Sequence, residues 1–154
     1  MDNEADTLQK MKLSEQINAD CPNGWARYVG TDNKCIKAFA EEKSYSHATE
    51  HCKLFKNGTL VSIHNGFQNV QVITQCSGLS GANWYWIGLN NLKNAMKYEW
   101  IDGSVLDYTN WMRNPSYNSS IYLVHMRIDD ANYGKWWLSM GYDTLRYFVC
   151  MQDL

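Results

Sequence analysis

Five consecutive residues, Tyr85-Trp86-Ile87-Gly88-Leu89, narrow what this chain can become more than any other stretch. Aromatic and β-branched side chains suit a packed, pleated surface, and a glycine inside such a run marks a close approach by a second backbone. The stretch therefore reads as a short, fully buried strand. Tyr98-Glu99-Trp100-Ile101-Asp102-Gly103 repeats the aromatic pattern and ends in a turn dipeptide. Asn110-Trp111, Gly134-Lys135-Trp136 and Tyr147-Phe148-Val149-Cys150 follow. Tryptophans spaced in this way predict a compact core with irregular loops hung on it.

A chain of 154 residues suits one domain with a sizeable core. Charged residues make up 19% and the formal net charge is −2, which argues against a nucleic-acid footprint. No apolar run reaches membrane-spanning length, and the polar start Met1-Asp2-Asn3-Glu4 does not read as a signal peptide, so a mature form or an ectodomain is expected. The five cysteines, at 21, 35, 52, 76 and 150, contain no Cys-x-x-Cys and point to an oxidising compartment. Asn57 and Asn118 open Asn-x-Ser/Thr sequons in turn-like surroundings. Together these features favour a secreted or extracellular protein.

Residues 1–20 are expected to be a tail or stalk, with 21–154 as the domain. Asp6 and Gln9 suit the start of a short helix, and Leu8, Met11, Leu13 and Ile17 form a stripe too short for a coiled coil. The alternative is a neck that supports a homodimer. Gly30-Thr31-Asp32-Asn33 reads as the turn of a hairpin. Ser44 is placed to cap a first helix that carries Tyr45, Ala48, Cys52 and Phe55 on one face and ends at Asn57-Gly58. Leu60-Val61-Ser62-Ile63 reads as a strand. His64-Asn65-Gly66 opens a second helix with Phe67, Val70 and Ile73 inward, and Ile121 to Met126 is a strand buried on both faces. His47 and His51, at i and i+4, read as a solvated helix face, because Ala48 stands where a metalloprotease motif needs Glu. With no nucleophile elbow and no phosphate-cradling loop, the chain is expected not to be an enzyme.

Cys21-Pro22-Asn23-Gly24-Trp25, the helical Cys52, Leu60 to Ile63, Trp86-Ile87-Gly88-Leu89, Trp111, Gly134-Lys135-Trp136 and Phe148-Val149-Cys150 occur in the order seen in C-type lectin-like domains. The chain resembles that family from about Cys21 to its C-terminus. The resemblance implies an α+β fold: two helices flanking small antiparallel sheets, with a long irregular loop region from Gly103 to Ser120. It also implies a Cys21–Cys35 disulfide, the mark of the long form, and a Cys52–Cys150 disulfide. Cys76 is left over, either a buried free thiol or an intermolecular link.

In the family, calcium is held by hard oxygen ligands from a Glu-Pro-Asn or Gln-Pro-Asp tripeptide and a Trp-Asn-Asp tripeptide. Here the first reads Asn114-Pro115-Ser116 and the second Trp136-Trp137-Leu138, and no glutamate follows Glu99. The proline, cis in the family, is retained. Asp129 and Asp130 either cap the turn into Ala131-Asn132-Tyr133-Gly134 or form a displaced, weak calcium site. The inner disulfide of the family would fall near Tyr122 and Gly141, and neither is cysteine. The loop is then either mobile or held by Trp111, Tyr117 and Trp137. The expected function is extracellular recognition of a protein or glycan, with Asn114, Ser116, Tyr117, Asp129, Asp130 and Trp136 as candidate ligand-binding residues and no metal cofactor beyond that weak site. A calcium-dependent lectin and a structural matrix protein are the alternatives.

Overall fold

The computed structural model describes residues 4–8 and 20–154. Residues 4–8 are helical, while Gln9, Met11, Leu13 and Ile17, on which the capping and stripe arguments depend, lie outside the described residues. The domain then runs β1 (Ala26–Arg27), β2 (Lys34–Lys43), α1 (Tyr45–Cys52), β3 (Thr59–Leu60), α2 (Gly66–Ser77), β4 (Trp84–Asn94), β5 (Lys97–Trp100), β6 (Leu123–Arg127), β7 (Lys135–Ser139) and β8 (Arg146–Asp153). The strands join one hydrogen-bonded network of order β1-β2-β8-β4-β6-β7, with β3 on β8 and β5 on β4. The expected small antiparallel sheets thus merge into a mixed sheet. The link is a parallel pairing of β4 with β8, Tyr85 opposite Tyr147 and Trp86 opposite Phe148.

The buried strand lies at the centre. Tyr85 to Leu89 sit between two apolar layers, Trp86 with Phe39, Tyr45, Phe148 and α1 on one side, Tyr85, Ile87 and Leu89 with α2 and Trp136 on the other. This is the period-two split of a strand covered on both faces. Gly88 shows why glycine stands there: a Cβ would lie 2.7 Å from the Leu60 carbonyl oxygen and 3.0 Å from that of Val61. The Gly88 N–H donates to the Val61 oxygen at 2.8 Å.

Cys21–Cys35 and Cys52–Cys150 are disulfide-bonded. The first closes the β1–β2 hairpin. The second ties α1 to the strand that pairs with β2 over Lys34–Asp153 to Phe39–Phe148. Cys76 is unpaired and fully enclosed, 0% exposed. Burial pushes its thiol well above the ordinary range.

Several local expectations need correction. Ser44 caps α1 by accepting the His47 N–H, but the helix stops at Cys52 and not at Asn57-Gly58. Phe55 follows in a turn and packs against Trp25 and Phe39. Only Leu60 of Leu60–Ile63 lies in a strand; the rest is extended chain whose hydrogen bonds go to Val149 and Gly88. Phe67 and Val70 of α2 face outward, 78% and 60% exposed, while Gln68, Asn69, Val72, Ile73 and Cys76 are buried. Polar side chains won the inward face because each has backbone to satisfy. Gln68 bonds the His64 N–H and the Val29 oxygen, and Asn69 donates to the Gly134 oxygen just before β7. His51 is not merely solvated: its ring packs against Phe39, Phe55 and Phe148.

Candidate functional site

The segment 103–120 carries almost no regular structure, so its position is set by side chains. At its start, His64 Nδ1 lies 2.7 Å from Asp107 Oδ1 and Nε2 lies 2.9 Å from Ser104 Oγ. The hydrogen bond from His64 holds the Asp107 carboxyl below its usual range. Further on, Trp111 bridges to Trp136 in parallel, with backbone bonds of 3.0 Å on either side. Tyr98 donates to the Ser116 oxygen at 2.8 Å and its ring meets Trp111 and Tyr117 edge-on. The return into β6 is fastened by Asn91, which donates to the Ser120 oxygen and accepts from the Tyr122 N–H. Tyr122, near one lost half-cystine, pairs its hydroxyl with Asn118. Of the three expected anchors, Trp111 and Tyr117 make such contacts, joined by Tyr98, Asn91 and Asn118, where the family has a covalent link.

Trp136 is not a surface residue. It is 0% exposed, and its Nε1 donates to Asn69 Oδ1 at 2.9 Å. β7 alternates, so its neighbours Lys135 and Trp137 point the other way. Among the described residues no peptide bond is cis, so Asn114–Pro115 is trans. The two family tripeptide positions nevertheless meet. Asn114, Ser116, Trp137 and Leu138, with Trp111 and Arg113, line a recess of about 180 Å³ over Trp136. No carboxylate lines it. Arg113 instead lies 5.8 Å from the Trp137 ring.

Asp129 and Asp130 stand apart from that recess. Asp129 closes the turn, accepting from the Asn132 amide at 2.5 Å and from Trp84 Nε1 at 3.4 Å. Asp130 is exposed beside it. Among the described residues, no group of three or more His, Cys, Asp or Glu side chains could hold a metal ion. Tyr117 and Asn118 are exposed on the loop, and Asn57 sits at positive φ with its amide on Asp153.

A second constellation escaped the sequence reading. On one sheet face, Arg127 lies 3.8 Å from the Trp137 ring and 4.1 Å from that of Trp84, and Arg146 lies 4.7 Å from Trp84 and 5.0 Å from Trp86. Arg127 Nε donates to His125 Nε2 at 3.1 Å, so the imidazole proton sits on Nδ1 and is given to Ser139 Oγ at 2.8 Å. Burial, with Arg146 and Arg127 adding to it, pushes His125 down to about 2. Burial likewise lowers Arg146 to about 10, with Arg127 the smaller cause. Trp84 with Trp86 and His125 with Arg127 each share a strand face by period-two spacing, but their meeting depends on cross-strand pairing that the reading of 121–126 as an almost continuously apolar strand did not reach.

A family model described as the lectin C-type domain matches residues 41–152. The chain belongs to the C-type lectin domain family. A subunit of the snaclec salmorin from Gloydius brevicauda is 30% identical over 133 residues, covering 86% of this chain and 82% of that protein. Human lithostathine shares the fold with a TM-score of 0.76 at 23% identity, over 92% of this chain and 94% of that one. The cow carbohydrate-recognition domain of CD23, solved in the presence of a GlcNAc2Man3 oligosaccharide, has a TM-score of 0.69 at 25% identity, over 88% and 97%. C-type lectin domains are binding modules, and this member is not an enzyme.

Proposed function

We propose that the protein is an extracellular recognition module that binds a protein or glycan partner without calcium, through the surface built by the 103–120 loop and β7. The observation that carries this is the recess where the two family tripeptide positions converge. A calcium ion needs several hard, mostly anionic oxygens. The recess supplies the Asn114 amide and the Ser116 hydroxyl, faced by an indole, a leucine and the guanidinium of Arg113. A fixed cation in that lining opposes a second cation. Asp129 and Asp130 do not compensate, since neither lines that recess. Exposed Tyr117 and the rim of Trp137 supply anchoring surface for a partner. Two disulfides favour an oxidising location. The relative from Gloydius brevicauda is one subunit of its snaclec, which supports assembly with a second chain.

The test is the melting temperature in millimolar calcium against excess chelator. A ligand at tenfold its dissociation constant raises stability by about 1.4 kcal/mol, or roughly 3–6 °C for this size. The expected result is no shift. A reproducible rise that Asp129→Asn abolishes would overturn the reading in favour of a calcium-dependent lectin.

A further inference from the structure

Arg113, Trp137, Arg127, Trp84, Arg146 and Trp86 alternate as a continuous cation–indole ladder, with spacings of 5.8, 3.8, 4.1, 4.7 and 5.0 Å. The register explains the row. Trp84 pairs with Arg127 across β4 and β6, Trp86 with His125, and His125 with Trp137, so period two puts all of them on one face. None of the three arginines has a carboxylate oxygen within 4.0 Å among the described residues. Like charges brought together and partly desolvated without a direct ion pair cost stability, and such arrangements cluster where proteins bind.

The hydrogen-bond ledger of the ladder is one-sided. Its acceptors are consumed: His125 Nε2 by Arg127, and Ser139 Oγ by His125 and Arg146. Its donors are in excess: Trp137 Nε1 and Arg146 Nε are enclosed without a partner. The guanidinium groups themselves carry donors and no acceptor, and the arginine fork is suited to a carboxylate or a sulfate.

Beside the Arg146 end lies a recess of about 390 Å³ whose lining includes Trp84, Asn83, Glu42, Asp129 and Arg146. Two carboxylates and an amide at that rim accept from and donate to hydroxyl groups, and they repel a densely charged polymer. We propose that this face binds a sparsely acidic saccharide, its single sulfate ester or carboxylate on the arginines and its hydroxyls on Glu42, Asn83 and Asp129. The assignment rests on the calcium-free reading above and names a ligand class for it, at a face contiguous with the loop recess through Arg113 and Trp137.

The experiment is an NMR titration of the ¹⁵N-labelled protein, following the Trp84 Nε1 and Arg127 Nε resonances. The probes are N-acetylglucosamine 6-sulfate, N-acetylneuraminic acid, N-acetylglucosamine, sodium sulfate and a heparin fragment, each in chelator and again in calcium. One of the two acidic sugars is expected to saturate both signals, and which one assigns sulfate or carboxylate. Neutral sugar and free sulfate should bind at least tenfold more weakly. Arg146→Gln should weaken the acidic sugar at least tenfold. Glu42→Gln, which disturbs no ladder contact, should weaken the acidic sugar severalfold and tighten free sulfate. Equal binding of neutral and acidic sugars, free sulfate matching the acidic sugar, or preference for heparin overturns the assignment. So does absence of binding in both buffers. Saturation at these signals in calcium alone upholds the ladder and overturns the calcium-free reading.

Discussion

Asn69 is a buried amide on α2 that fastens the helix to the strand beneath the loop recess. Its Nδ2 donates to the Gly134 oxygen at 3.1 Å, and its Oδ1 accepts from Trp136 Nε1 at 2.9 Å. Asn69→Ala affects these two ends unequally. The Gly134 oxygen keeps a second donor, Asn110 Nδ2 at 2.7 Å. Trp136 Nε1 has none, and at 0% exposure it gains no water in compensation. Orphaning one buried donor costs about 1–3 kcal/mol, and the small cavity adds to it, for a total of about 2–4 kcal/mol. In a domain of this length that lowers Tm by roughly 5–15 °C. Urea unfolding measured on wild type, Asn69→Ala, Trp136→Phe and the double variant checks the reason as well as the size. Phenylalanine has no N–H to strand, so Asn69→Ala should cost at least about 1 kcal/mol less in that background. Additive losses, or a single-variant loss below about 1 kcal/mol, would refute the strut.

Other outcomes follow from the same geometry. Gly88→Ala sets a methyl against two backbone carbonyls, 2.7 and 3.0 Å away, and should cost about 1–3 kcal/mol by overpacking; a neutral result in thermal unfolding would mean that the 60–63 segment yields freely. Removing Cys52–Cys150 as a double alanine variant opens a crosslink spanning 98 residues, and the chain-entropy model expects a loss of roughly 4–5 kcal/mol, read from denaturant midpoints. His125 is held neutral when folded, pushed down to about 2, whereas the unfolded chain takes up a proton near pH 6.5. Its contribution is therefore fully present above pH 6.5 and is lost as pH falls toward 2, with a slope approaching about 1.4 kcal/mol per pH unit. His125→Gln should flatten the urea midpoint between pH 6.5 and 4.5, and identical pH profiles for the two proteins would remove His125 as the cause.

What the sequence could tell divides along physical lines. Tyr85–Leu89 announced itself because burial on both faces leaves an unbroken apolar run, and Gly88 because close backbone approach tolerates no Cβ. Phe67 and Val70 misled because hydrophobic periodicity assumes that apolar residues face inward. In α2 the inward positions went to Gln68 and Asn69, whose value lies in partners more than 30 residues away along the chain, |i−j| of 39 and 65. The candidate site was legible as a location and illegible as a composition. Asn114, Ser116 and Trp137 do converge, but Trp136 faces the core, and Arg113, Arg127 and Arg146 arrive from the loop, β6 and β8. Their stacking on tryptophans depends on cross-strand register, which no local pattern encodes.

The β2–β8 ladder begins with Lys34 opposite Asp153, next to an ion pair between the same two residues, and Leu154 bonds the Asn33 oxygen. Tension applied between residue 20 and Leu154 would therefore peel the two strands apart from one end, a weak geometry in which pairs fail in turn. Only Lys34–Asp153, Cys35–Gln152 and Ile36–Met151 precede Cys150 on that path. There the load leaves β8 through the disulfide into Cys52, so residues 53–149 are shielded, while Cys21–Cys35 feeds the other end of the load into β2. Under force the domain would give up β2 and α1 and then lock at the second crosslink, with the loop and the arginine ladder unloaded behind it.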